Sequence, residues 1–244
     1  PDAYIDVLAT AAVRDASTAN RLIDLIDRAF GAPPRVLSGD EEARYATLGV
    51  YYGREHARGL FADLGGGSLE LSLGEDGAMT SVPLGVLRLL EQSRGKHGHA
   101  RTIIREALKP VRFIRESESE TLHLVGGSWR AMGMLHRLLQ RDPLPQLIEG
   151  YALKARKTRH FAGRIVREKP DRLRPYLRRS DRADTLPYAA LVLRRLIKQS
   201  GVSRVRFSQY GIREGLLVDW VRQERFSAPV NDRQFTLNLD EPPA

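Results

Sequence analysis

One stretch constrains the fold more than any other: "LFADLGGGSLELSLGEDG", residues 60–77. An acidic residue, Asp63, precedes three consecutive glycines, Gly65, Gly66 and Gly67. Leu69, Leu71 and Leu73 then alternate with Ser68, Glu70 and Ser72. Alternation with period two belongs to a strand, so the glycines join one strand to another. A Walker loop would need Gly-Lys-Ser/Thr after its spacer, and a dinucleotide fingerprint would open a helix; this stretch does neither.

A turn of this kind can hold an anion. Glycines reach φ > 0 without steric cost, which predicts a nest of converging backbone N–H groups that phosphate can approach closely. The pleat places Ser68 and Glu70 on one face and the leucines on the opposite, buried one, while Asp63 ends the incoming strand beside the same turn. Asp63 and Glu70 suit Mg²⁺, a hard cation that takes carboxylate oxygens and water alongside substrate phosphate. The competing reading is a tight hairpin with both carboxylates solvated. A second turn, Gly126, Gly127 and Ser128, joins a strand to a helix, whose free N-terminal amides also attract anions. A plain strand-to-helix connection has the same sequence.

The rest of the chain alternates strand and helix. Residues 5–9 and 35–37 read as strands around a helix over 11–30, which Gly31, Pro33 and Pro34 end. In "SGDEEARYATLGVYYG", Ser38 is an N-cap and Glu41 completes a capping box for a helix that stops at Gly53. "GEDG", residues 74–77, turns a hairpin into the next strand. Helices over 85–91 and 100–116, a mainly helical basic segment over 151–177, an apolar helix closed by Gly201, a strand over 202–208 and the helix "IREGLLVDWV" follow. The class is α/β with mixed sheets, and residues from about 228 read as a tail.

The net charge of +9 is concentrated. Residues 154–182 carry twelve Lys or Arg against three acids, Glu168, Asp171 and Asp181. This is either a solvated helical face or a surface for a polyanion. Aromatic residues are not interleaved as base stacking requires, so polyphosphate fits better than nucleic acid. The absence of cysteine excludes a disulfide framework, a cysteine zinc site and a thiol nucleophile. No apolar run is long enough to span a membrane, and "PDAYIDVLAT" lacks the basic and apolar regions of a signal peptide, so a cytoplasmic location is expected.

"ATAAVRDA", "LSGDEEARYATLGV", "DLGGGSLEL", "VGGSWRAM" and "GIREGLL" stand in this order between residues 4 and 220. Together they resemble the exopolyphosphatase and guanosine pentaphosphate phosphatase family, Ppx/GppA, of the actin/hexokinase/heat-shock-ATPase superfamily. The resemblance implies an actin-like (ribonuclease H-like) two-domain fold with mixed sheets and phosphate bound between the domains. It also implies Mg²⁺-dependent hydrolysis of a terminal phosphoanhydride of inorganic polyphosphate or guanosine pentaphosphate, in proteins that often dimerise. The "EEAR" motif carries the family's proposed general base, here Glu42, and Glu41 is already engaged by the capping box. The resemblance gives Asp63, Gly65 and Glu70 metal or phosphate roles, lines the turn with Gly66, Gly67 and Ser68, and makes Arg14 a phosphate clamp. Family members begin with an Asp-x-Gly-Ser-Asn loop that does not occur here. The expectation is therefore a first actin-like domain reduced to residues 1–53, a second domain over 54–227 and a tail over 228–244. Two other readings stay open at this point: a kinase or ATPase of the same superfamily, and a non-catalytic binder of polyanions or nucleic acid.

Overall fold

The computed structural model describes residues 6–53 and 57–227; Ile5, His56 and the tail over 228–244 lie outside the described residues. Strand β1 (Leu8–Ala9), helices α1 (Ala11–Arg14) and α2 (Ala19–Phe30) and strand β2 (Arg35–Val36) come first, with β1 and β2 paired in parallel. Helix α3 (Gly39–Gly53) leads to the meander β3 (Leu60–Leu64), β4 (Leu69–Leu73) and β5 (Met79–Val82). Helices α4 (Val86–Gln92), α5 (His97–Leu108) and α6 (Phe113–Glu116) precede β6 (Thr121–Val125) and α7 (Gly127–Leu139). After these come β7 (Ala152–Lys154), α8 (Ala155–Arg167), α9 (Pro170–Leu173), α10 (Leu186–Ser200), β8 (Arg204–Phe207) and α11 (Ile212–Ser227).

Six strands form one mixed sheet in the order β5-β4-β3-β6-β8-β7. The central strands β3, β6 and β8 are parallel, and β4, β5 and β7 each run antiparallel to their neighbours. One face of this sheet turns Leu60, Ala62, Leu64, Leu69 and Leu71 into the main core, which α7 and α10 help to cover. In that core the fully buried Trp129 donates its indole N–H to the Ala189 carbonyl at 3.1 Å, so the ring is buried with its polar edge satisfied.

The other face is buried as well. Glu70 and Ser72 are only 3% and 2% exposed, because α3 lies across them. The Thr47 and Ser72 hydroxyls hydrogen-bond to each other there. Polar alternation in β4 therefore marks a packed, hydrogen-bonded face and not a solvent face, which removes the reading of a hairpin with solvated carboxylates.

Helices α3 and α11 cross backbone to backbone. A Cβ on Gly49 would lie 2.2 Å from the Gly211 carbonyl oxygen, and one on Gly215 would lie 1.8 Å from that of Tyr45. Arg44 pairs with Asp219 at 2.6 Å across this crossing. The close approach sets Gly211, just before α11, against the middle of α3.

Three sequence expectations change. The helix over 11–30 is two helices, because α1 closes at Asp15, whose carboxylate turns to Arg88 of α4. The helix over 100–116 breaks around Pro110, which donates no backbone N–H, into α5 and α6. The basic segment opens with β7, an edge strand of three residues held by pairing with β8. Among the described residues no helix is long and apolar enough to cross a membrane.

Candidate functional site

A cavity of about 250 Å³ opens between the β3–β4 turn and the heads of α3, α7 and α11. Six residues singled out in the sequence line it: Glu42, Asp63, Gly65, Glu70, Gly126 and Gly127. Asp63 and Glu70 are cross-strand partners in the antiparallel register of β3 and β4, which sets their side chains together on one face. Burial pushes the Asp63 carboxyl up to about 7; the Arg130 charge opposes this and the Glu42 charge adds to it. Burial and then the Asp63 charge push Glu70 up to about 8, against hydrogen bonds from Ser68 and Ser81. The Ser81 hydroxyl donates to Glu70 Oε1 at 2.9 Å.

These shifts predict a pH-dependent instability. A carboxyl at about 8 in the folded chain, against an ordinary 4.5, holds its proton more tightly when folded. Its stabilising contribution is complete below about pH 4 and is lost as pH rises through 8. In EDTA at pH 9, Glu70→Gln should melt about 5 °C above the parent, since ~2 kcal/mol shifts a chain of this size by that much. At pH 4 the two should melt together. Equal midpoints at pH 9 would show that Glu70 ionises without strain.

Glu42 sits in the first turn of α3 and is buried. Its Oε1 accepts from the Ala11 N–H at 3.1 Å and from Arg14 Nη1 at 2.6 Å. Burial raises its pKa and the Arg14 bond and charge lower it, with burial the larger effect. Arg14 also donates to the Leu37 carbonyl at 2.5 Å; it stands behind Glu42 and does not line the cavity. Next to it, Ser38 and Glu41 make both capping-box bonds, at 2.7 and 3.2 Å, which occupies Glu41 outside the cavity.

The glycine turn is built differently from the sequence expectation. Gly65, Gly66 and Gly67 do not have positive φ. The turn is instead clamped from behind by α4: Val86 N–H donates to the Gly65 carbonyl at 3.1 Å and Leu87 N–H to that of Gly66 at 3.0 Å. Gly85 makes this possible, since a Cβ there would lie 2.2 Å from the Gly66 carbonyl. With its carbonyls held by α4, the turn pairs no described acceptor with the amides of Gly66, Gly67 and Ser68. The left-handed glycine of the site is Gly126, at φ 106°, directly before α7. No side chain caps the amides at the head of α7, whose dipole adds to their attraction for an anion. Gly66, Gly67, Ser68 and Ser128 do not line the cavity, and the two serines are buried.

Residues 2–224 match the model of the Ppx/GppA phosphatase family. The chain belongs to that family. Retrograde regulation protein 2 of Saccharomyces cerevisiae is 27% identical over 92% of this chain and 43% of its own length. Exopolyphosphatase 1 of Mycobacterium tuberculosis is 37% identical over 37% of this chain and 28% of its own. The chain thus spans less than half the length of these curated relatives. Among solved structures, an exopolyphosphatase from Cytophaga hutchinsonii superimposes with a TM-score of 0.80 at 21% identity, over 91% of this chain and 76% of that one. The Aquifex aeolicus Ppx/GppA enzyme gives 0.70 at 21% identity, over 88% and 74%. These likenesses show the fold, the actin-like two-domain α/β fold of Ppx/GppA proteins.

Among the cavity residues of this Ppx/GppA chain without an assignment from sequence are Arg130, Gln209, Arg213 and Glu214. Arg130 had a usable signal. It follows Gly126 by four positions, and helical side chains lean toward the N-terminus, so it belongs over the head of α7. Glu214 accepts the Gly211 N–H at 2.8 Å, a capping contact spaced three residues apart, as Gly-x-x-Glu permits. Arg182, from the basic segment, donates to the Gly127 carbonyl at 2.9 Å; nothing local in the sequence joins those two positions.

Proposed function

We propose that this Ppx/GppA chain supplies the catalytic cleft of a phosphohydrolase that removes the terminal phosphate of inorganic polyphosphate or guanosine pentaphosphate. The observation that carries the reading is one cavity shared by Glu42, the Asp63–Glu70 pair and Arg130, beside the β3–β4 turn and at the uncapped head of α7. The amides of the β3–β4 turn and of the head of α7 bind the oxygens of the terminal phosphate, and Arg130 balances its charge. Arg14 orients Glu42 by holding Oε1, which leaves Oε2 to take the proton of the attacking water. The water oxygen bonds to phosphorus as the anhydride P–O bond breaks, giving inorganic phosphate and a chain one phosphate shorter.

Asp63 and Glu70 fit a hard divalent cation. Two adjacent carboxyls pushed up by burial, Glu70 also by the Asp63 charge, are what such an ion relieves. Among the described residues no three His, Asp or Glu side chains cluster for a metal, so water and substrate oxygens would complete the shell. Bound Mg²⁺ would supply charge neutralisation on the phosphate.

The direct test is phosphate release from polyphosphate, guanosine pentaphosphate and ATP, each with Mg²⁺ and with EDTA. Release from one of the first two, abolished by EDTA, is the expected result. Arg130→Gln should raise KM about tenfold or more, as loss of a charge-assisted phosphate contact does, with Tm unchanged. An unchanged KM would remove Arg130 from substrate binding. The similarity to a retrograde regulation protein supports a second reading, a regulator that binds phosphorylated ligands without turnover. It predicts saturable binding of the same compounds and no release of phosphate from any of them.

A further inference from the structure

A second cavity, of about 620 Å³, lies at the opposite end of α7 from the cleft. Along α7, Arg130 of the cleft and His136 of this cavity stand six residues apart, about 9 Å of helix. Leu139 and Gln140 at the end of α7, Leu153 of β7 and the first turns of α8 enclose it. Helix α8 places Arg156, His160 and Arg164 four residues apart on one stripe, with Lys157 beside them. Among the described residues no Asp or Glu lines the cavity, and Arg156, Lys157 and Arg164 form no ion pair.

This arrangement works against the helix that carries it. Arg156 and Arg159, three residues apart, are like charges on neighbouring positions of the helix, and Arg156 and Lys157 in its first turn oppose its dipole. The first turn of α8 contains no acidic residue, and no side chain caps it. An anion in the cavity would relieve both effects together. Apolar residues share the lining: Leu139 and Leu153 come from other elements, and on α8 itself the Phe161 ring is buried with the His136 ring edge-on to it at 4.8 Å. His136 Nδ1 and the Tyr151 hydroxyl, both on the lining, are hydrogen-bonded to each other at 2.8 Å, which holds that wall in place. A bare inorganic anion gains nothing from such a wall, whereas a flat base carrying several phosphates uses both sides. The volume falls within the range of small-molecule sites.

We propose that this cavity is a second ligand site, which takes a nucleoside polyphosphate with its phosphates on Arg156, Lys157 and Arg164 and its base against Leu139 and Phe161. The site is independent of the chemistry in the cleft. It also gives a use to cations of the basic segment that lie far from the heads of α3 and α7.

Photolabelling of the chain with an azido derivative of ATP, in EDTA so that no turnover intervenes, followed by peptide mapping, tests the site. The label is expected in peptides covering residues 151–164 and should be displaced by unmodified ATP. Inorganic tripolyphosphate should displace it at least about tenfold less well, because it lacks the base. Arg156→Glu/Arg164→Glu should lower labelling about tenfold or more, leaving Tm and any phosphate release from tripolyphosphate unchanged. Both residues are exposed; should the double variant melt early, Arg156→Gln/Arg164→Gln removes the charge without reversing it. Label confined to cleft peptides, labelling indifferent to both variants, or equal displacement by tripolyphosphate would each overturn the proposal. A chain that releases no phosphate yet labels at residues 151–164 retains this site and loses only the hydrolytic reading.

Discussion

Replacing Glu42 with Gln is expected to lower phosphate release by about 10²–10⁴-fold, the range for loss of a general base. The amide keeps an oxygen for the Ala11 N–H and Arg14 while losing the capacity to accept a proton from water. Binding should therefore survive, so the loss should fall on kcat with KM little changed. A kcat within threefold of the parent would sink the assignment. The pH profile supplies an independent check. Burial holds Glu42 above its ordinary value while Arg14 pulls it down. The acid limb of kcat/KM should therefore lie above pH 4.5, and Arg14→Ala should move it further up, because the opposing charge is gone. A limb that moves down, or stays in place, would separate Arg14 from Glu42 in function.

Gly126→Ala should damage both stability and activity. Position 126 has φ 106° and ψ 157°, a region open essentially to glycine alone. A Cβ there would also lie 2.5 Å from the Leu64 carbonyl oxygen and 3.0 Å from Asp63 Oδ1. Strain and overlap together should cost about 3 kcal/mol, or about 8 °C in Tm. Because the added Cβ also crowds Asp63 Oδ1, phosphate release should remain at least about 10²-fold down where the variant is fully folded, as misplacement of a cleft group by about 1 Å does. Thermal unfolding and phosphate release on the same preparation check this. Full activity at a lowered Tm would mean that the head of α7 and Asp63 need no fixed geometry.

How much of this site is legible without coordinates differs from residue to residue. The pairing of Asp63 with Glu70 follows from a period-two pattern on both sides of a short turn, and the observed register agrees. The capping box at Ser38 and Glu41 is equally local. The conformation of the glycine turn was not legible, because α4 and Gly85 impose it from twenty residues downstream. Strand β7 was hidden inside a helical reading because its three residues are extended only by pairing with β8, fifty residues away.

The amino-acid sequence by itself determined the alternating α/β pattern, the two glycine turns and the motifs that mark a Ppx/GppA chain. Each of these is written in spacings of a few residues, where backbone geometry repeats. The tertiary structure alone decided that the polar face of β4 is buried under α3, that Asp63 and Glu70 resist ionisation, and that Arg130, Arg182 and Arg213 gather near them. It alone separated the cations of α8 from the cleft and set them against an apolar wall. Burial and electrostatics depend on what packs against a residue, and those neighbours come from distant parts of the chain.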